Sequence, residues 1–179
     1  RTLLRIWAWR HLLRLCSPLY LRAQKMDKTQ PQQKEPGMGY FEGRKHYYPL
    51  RVFYEDTDFT GVVYYANYLR FLERARSSFF RLAGVTHAEL LEREKPLGFA
   101  IRKIELEYKR PARIDDALLV MTAYDKYKGA RLWVSQEIYR GEELLLTANS
   151  EAACIDLTGR PKRPTPKMVE KLAPYFLSE

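Results

Sequence analysis

Cysteine is scarce in this chain: Cys16 and Cys154 are the only two. One lies in a basic N-terminal arm and the other in an apolar segment, so no disulfide framework is expected and a reducing compartment fits. Cys154 reads as a small buried hydrophobe. Histidine is scarce too. His11, His46 and His87 are scattered without ligand spacing, which argues against a zinc site, and the acidic loop over 55–61 lacks the further ligands that a calcium or magnesium site needs. Long apolar runs are also missing. In residues 1–22 (RTLLRIWAWRHLLRLCSPLYLR) Arg5, Arg10, His11 and Arg14 interrupt every apolar stretch, whereas a membrane-spanning helix needs roughly 18 apolar residues. The arginines of this segment do not collect on one helical face, so an amphipathic anchor is not indicated either.

The net charge of +9 over 179 residues invites a nucleic-acid reading until it is divided by position. Residues 1–45 hold ten Lys/Arg against three Asp/Glu, a net of +7, while residues 46–179 hold 21 against 19, a net of +2. The basicity belongs to the arm, and no nucleic-acid partner is expected for the remainder. Residues 1–22 contain no acid, which leaves three readings: a targeting peptide, a membrane-surface arm, or extra translated sequence upstream of a true start. The last is favoured here, since Met26 opens a more ordinary stretch. Residues 23–45 are rich in Gln, Lys, Pro and Gly and read as a disordered linker. The expected division is an arm over 1–45 and one domain over 46–179. Hydrophobic residues make up 46% of the chain, enough to give that domain a real core.

From His46 the pattern becomes regular. HYYPLRVFY alternates and predicts a strand over 46–54, with Pro49 near its start or on an edge. A polar loop follows over 55–61. From about Tyr64 to Ala83, Tyr65, Tyr68, Leu72, Ala75, Phe79 and Leu82 recur at spacings of three and four, predicting a long helix with one buried face and Gly84 as its C-terminal cap. Thr86 with Glu89 predicts a short second helix. Strand-like segments over 98–109, 116–127, 130–140 and 143–156, with turns at Gly129 and Gly141, predict antiparallel hairpins, and a short helix closes the chain at about 166–175. A helix with one apolar stripe must be covered, so the class is α+β, with a five-stranded antiparallel sheet curled around one central helix. The edges of that sheet call for a second copy of the chain, as a homodimer or homotetramer.

The loop carries the chemistry. Asp56 and Asp58 lie two apart with Glu55 between the first of them and Tyr54, and Gly61 leads into Val62-Val63-Tyr64-Tyr65-Ala66-Asn67. One reading is a turn in which an Asp caps the helix through its side chain. The other is catalytic: a carboxylate ahead of a helix start can act on a carbonyl while unpaired backbone N–H groups hold the oxyanion. Glu73, off the apolar stripe, suits pairing with Arg70, Arg76 or Ser77, or else a role as a second carboxylate.

YEDTDFTGVVYYANYLRFLERAR, with IELEYKRPARIDDALLV and IDLTGRPKRP further on, resembles the 4-hydroxybenzoyl-CoA thioesterase family of hotdog-fold enzymes, and within it the Tol-Pal-associated acyl-CoA thioesterases. The resemblance covers about residues 46–175. It implies hydrolysis of an acyl-CoA thioester without a cofactor, with Asp58 as nucleophile or general base and the backbone N–H of Tyr65 as oxyanion donor. Gly61, Val62, Val63 and Asn67 fall on the substrate-binding part of the motif. The chain carries Tyr65 where the Tol-Pal-associated subgroup commonly has His, so the acyl group is left open. Lys109, Arg110, Arg113, Arg160 and Arg163 are candidates to meet the phosphates of coenzyme A. Acyl carrier protein is a further possible partner, and the expected location is the cytoplasm, with membrane-surface association through the arm as a variant. The alternative is a non-catalytic scaffold of the same fold that binds acyl-CoA or acyl carrier protein. No Ser/His pair is placed for a hydrolase triad, and no Asp/His pair for a dehydratase.

Overall fold

A computed structural model describes residues 37–178. The readings of the arm over residues 1–36, and Cys16 with them, lie outside the described residues. Six strands and three helices alternate with two short 3-10 turns. Strand β1 is Tyr40–Glu42, β2 Lys45–Arg51, β3 Leu97–Tyr108, β4 Ala117–Lys128, β5 Arg131–Arg140 and β6 Glu143–Asp156. Helix α1 is Asn67–Leu82, α2 His87–Leu91 and α3 Pro166–Leu172. All neighbouring strands are antiparallel, in the order β1-β2-β4-β5-β6-β3, and α1 packs on the sheet.

The sheet thus has six strands rather than five. It begins at Tyr40, inside the segment read as linker, and the boundary drawn after residue 45 falls within the β1–β2 hairpin. A three-residue strand is too short to show alternation, which is why it left no periodic trace. Arg44, in the turn of that hairpin, donates to the carbonyl of Phe176 at 2.8 Å and ties the added strand to the C-terminal segment. Pro49 pairs with Leu119 on one side, and β1 reaches only as far as Tyr47 on the other. Its missing N–H therefore faces no strand.

Helix α1 buries Tyr68, Phe71, Leu72, Ala75 and Phe79 against the sheet. Gly84 ends it with φ +82°: Gly84 N–H donates to Arg81 O at 3.0 Å and Val85 N–H to Phe80 O at 2.8 Å. This paired closure needs a left-handed residue at position 84, and Val85 then packs in the core. Thr86 caps α2 by accepting from Glu89 N–H at 3.1 Å. Beneath α1 lies one buried polar network. Arg76 donates to Gln136 Oε1 at 2.7 Å, and the Gln136 amide donates to Leu72 O and Thr122 Oγ1, each at 3.0 Å. Among the described residues no helix is long and apolar enough to cross a membrane.

Candidate active site

The two aspartates of the loop have opposite surroundings. Asp56 is buried, and its Oδ2 accepts from Phe53 N–H at 2.9 Å. Its carbonyl accepts from Tyr64 N–H at 2.9 Å and from the Asn67 side-chain amide at 3.0 Å. Asp56 therefore clamps the end of β2 to the start of α1. Asp58 stands outside this clamp, exposed, on a small loop closed by Asp58 N–H to Val62 O at 2.9 Å and a bridge between Thr57 and Val63. Its Oδ1 accepts from the Thr60 N–H at 2.7 Å and the Thr60 hydroxyl at 2.6 Å. The Thr60 hydroxyl, and after it the Thr60 N–H, hold the Asp58 carboxyl below its ordinary value, so it is ionised at neutral pH.

Gly61 turns the loop with φ +75°, and a Cβ there would meet open space. The backbone conformation demands glycine here, rather than a close neighbour. Val63 is a core residue, 4% exposed, whose N–H donates to Ala112 O at 2.8 Å. Val62 is half-buried and bridges to Arg113, so the loop carrying Asp58 lies against the 110–116 turn. That turn is stapled by Arg113 N–H donating to Asp116 Oδ2 at 2.8 Å.

Helix α1 opens without a side-chain cap; its N-cap residue is Ala66. Neither aspartate caps it, contrary to the capping reading of the loop, because Asp56 reaches the helix start only through its carbonyl. The first bonds are short-range: Asn67 N–H to Tyr64 O at 2.8 Å and Leu69 N–H to Ala66 O at 3.2 Å. Among the described residues the N–H groups of Tyr65 and Ala66 have no acceptor. The Tyr65 carbonyl takes the Tyr108 hydroxyl at 3.0 Å, across 43 residues of sequence. Unpaired donors at a helix start, with an ionised and exposed carboxylate on the loop that leads into it, are the parts that acyl transfer needs.

The structure gathers Asp58, Gly61, Val62 and Arg113 on one loop contact, with Asn67 behind it and Tyr65 at the helix start. Arg110 sits elsewhere, 4.0 Å from Glu143 in a cleft of about 530 Å³ that Tyr108 also lines. Glu73 pairs with Arg76 at 2.7 Å and Ser77 at 3.1 Å. His46 is buried beside Phe41, Tyr48 and Phe79, its Nε2 3.0 Å from Met38 O, and burial lowers its pKa. A second cleft, about 550 Å³, lies between 93–97 and 156–165, at the end of β3 away from Tyr108. Two site neighbours escape a reading of the sequence, Thr60 and Tyr108. The first was signalled by a tetrapeptide that occurs twice; the second lies in a strand that no local pattern joins to the helix.

Known proteins share the sequence and the fold of this chain. The chain is 42% identical over 110 residues to an acyl-CoA thioesterase, YbgC, of Haemophilus influenzae, covering 62% of this chain and 80% of that protein. It is 37% identical over 123 residues to the acyl-CoA thioester hydrolase YbgC of Escherichia coli O6:H1, covering 68% and 90%. Among solved structures, a probable thioesterase from Bartonella henselae superposes with a TM-score of 0.66 at 41% identity, covering 68% of this chain and 99% of that one. The family profile matches residues 52–172, and the chain belongs to the thioesterase-like superfamily.

Proposed function

We propose that this protein hydrolyses acyl-CoA thioesters to the free acid and CoA, with Asp58 as the reacting carboxylate. The observation that carries the reading is an exposed, ionised Asp58 on the loop that leads into α1, where the Tyr65 N–H is unpaired among the described residues. The naming of the 37–42% identical relatives as acyl-CoA thioesterases supports it. Asp58 Oδ2 either attacks the thioester carbon, or takes a proton from a water whose oxygen attacks instead. In both cases the C–S bond breaks as the tetrahedral intermediate collapses and CoA leaves as thiolate; in the first, water then hydrolyses the resulting mixed anhydride, and in the second the free acid forms directly. In both, the carbonyl oxygen becomes an oxyanion that the Tyr65 N–H receives. One such donor contributes about 3 kcal/mol in other acyl-transfer sites.

Gly61, Val62 and Asn67 shape the loop that meets the thioester, Val63 anchors it in the core, and Arg110 and Arg113 meet the phosphates of CoA. The active form is a homodimer or homotetramer working in the cytoplasm, and acyl carrier protein is an alternative carrier of the acyl group. The test is release of free thiol from a panel of straight-chain and aromatic acyl-CoA thioesters. Asp58→Asn is expected to abolish release while melting as the wild type does, because the side chain is exposed. Wild-type turnover by that variant overturns the assignment.

A further inference from the structure

The loop that carries Asp58 has a twin. Asp58-Phe59-Thr60-Gly61 and Asp156-Leu157-Thr158-Gly159 share one pattern: Asp, an exposed apolar residue, Thr, Gly. Their hydrogen bonds also match. Asp58 Oδ1 accepts from the Thr60 N–H at 2.7 Å and hydroxyl at 2.6 Å; Asp156 Oδ1 accepts from the Thr158 N–H at 2.9 Å and hydroxyl at 2.6 Å. In each, the glycine N–H donates back to the Asp carbonyl, at 3.0 and 2.9 Å, and the glycine φ is positive, +75° and +83°.

The twin follows β6, with no helix start behind it, so the geometry belongs to the tetrapeptide and needs neither substrate nor α1. The two turns differ in what else the carboxylate meets. Asp156 also accepts from Arg160 N–H at 3.0 Å and pairs with Lys162 at 3.4 Å, whereas Asp58 Oδ2 has no donor among the described residues. The twin's carboxylate is spent on its own loop, and that of Asp58 is held by one oxygen with the other left open.

We propose that Thr60 is the positioning residue for Asp58: it grips Oδ1 with two donors and presents Oδ2 to the thioester. This rests on the reading of Asp58 as the reacting carboxylate. The charged and titratable groups on the elements around Asp58 are Tyr54, Glu55 and Asp56 on the same loop, Tyr64 and Tyr65 ahead of α1, and Arg110, Arg113, Asp115 and Asp116 on the turn across the Val62 bridge. Tyr64 feels the Asp58 charge only after the larger effects of its contact with Tyr65 and of burial. The lowering of the Asp58 pKa comes first from the Thr60 hydroxyl and then the Thr60 N–H, with a smaller part from the Val62 backbone, and none of these charged and titratable groups is among its causes. In the twin, the Thr158 hydroxyl, first among the causes, takes Asp156 down to about 2.

The sign of the test follows. A carboxylate that reacts ionised loses activity as pH falls through its pKa, and removing the Thr60 hydroxyl raises that pKa. In the full chain, Thr60→Val is therefore expected to move the acid limb of the kcat/KM profile to higher pH. It should also lower kcat by about tenfold while KM stays within about twofold, since Thr60 touches the carboxylate rather than the substrate. Thr60→Ser keeps the hydroxyl and should restore the limb. Thr158→Val removes the same hydroxyl bond from the twin and should leave the limb in place, which separates positioning from loop stability. An acid limb unmoved in Thr60→Val, with Asp58→Asn inactive, overturns this inference alone. Turnover by Asp58→Asn overturns the assignment of Asp58 and this inference with it.

Discussion

Asp56 uses its side chain on the Phe53 N–H and its carbonyl on Tyr64 and Asn67, and the residue is 3% exposed. Asp56→Ala leaves that N–H unmet and removes the side-chain half of the clamp, while the carbonyl bonds to Tyr64 and Asn67 stay. The expected cost is about 1–2 kcal/mol, read as a lower urea midpoint with an unchanged slope. Both aspartates stand out in the sequence as a pair two residues apart. Their division of labour does not, because Asp56 becomes buried only when β2 and α1 meet over it, and a local pattern carries no record of that meeting. Tyr108 is hidden for the same reason: its partner is a carbonyl 43 residues away. Thr60 is different. Its bonds to Asp58 are set by neighbouring residues, and the second Asp-x-Thr-Gly at 156–159 was open to inspection from the start.

Helix α1 announces itself in the sequence because its stripe, its length and its glycine stop are all local properties. The four long strands do so for the same reason, through alternation and turn glycines. Strand β1 does not, since three residues cannot alternate and its place depends on pairing Tyr40 with Tyr47. The buried network under α1 is equally silent in sequence. Arg76 is only 7% exposed, and its guanidinium depends on Gln136 for one of its bonds and on Glu73 for another. Gln136→Leu removes that acceptor from a buried cation and also the donor to the Leu72 carbonyl. A loss of about 2 kcal/mol is expected in chemical denaturation. Turnover should change less than stability, because the network lies under the middle of α1 and the unpaired donors at its start.

Across the whole molecule, the described residues form one sheet with two ends: β1, a short strand stitched to the C-terminal segment through Arg44, and β3, twelve residues long with one side unpaired. A strand that long with open N–H and C=O groups is an invitation to a further strand. The exposed Phe53, Tyr54 and Phe59 around the Asp58 loop give a second copy apolar surface to cover. Strand β3 also ends at Tyr108, whose hydroxyl holds the Tyr65 carbonyl next to the proposed oxyanion donor. If two copies associate through β3, as proposed, one strand bears on both association and chemistry, and the two become linked equilibria. Dilution that lowers the mass measured by light scattering is expected to lower the activity per chain with it. By reciprocity, a non-hydrolysable acyl-CoA analogue should draw separated chains back together.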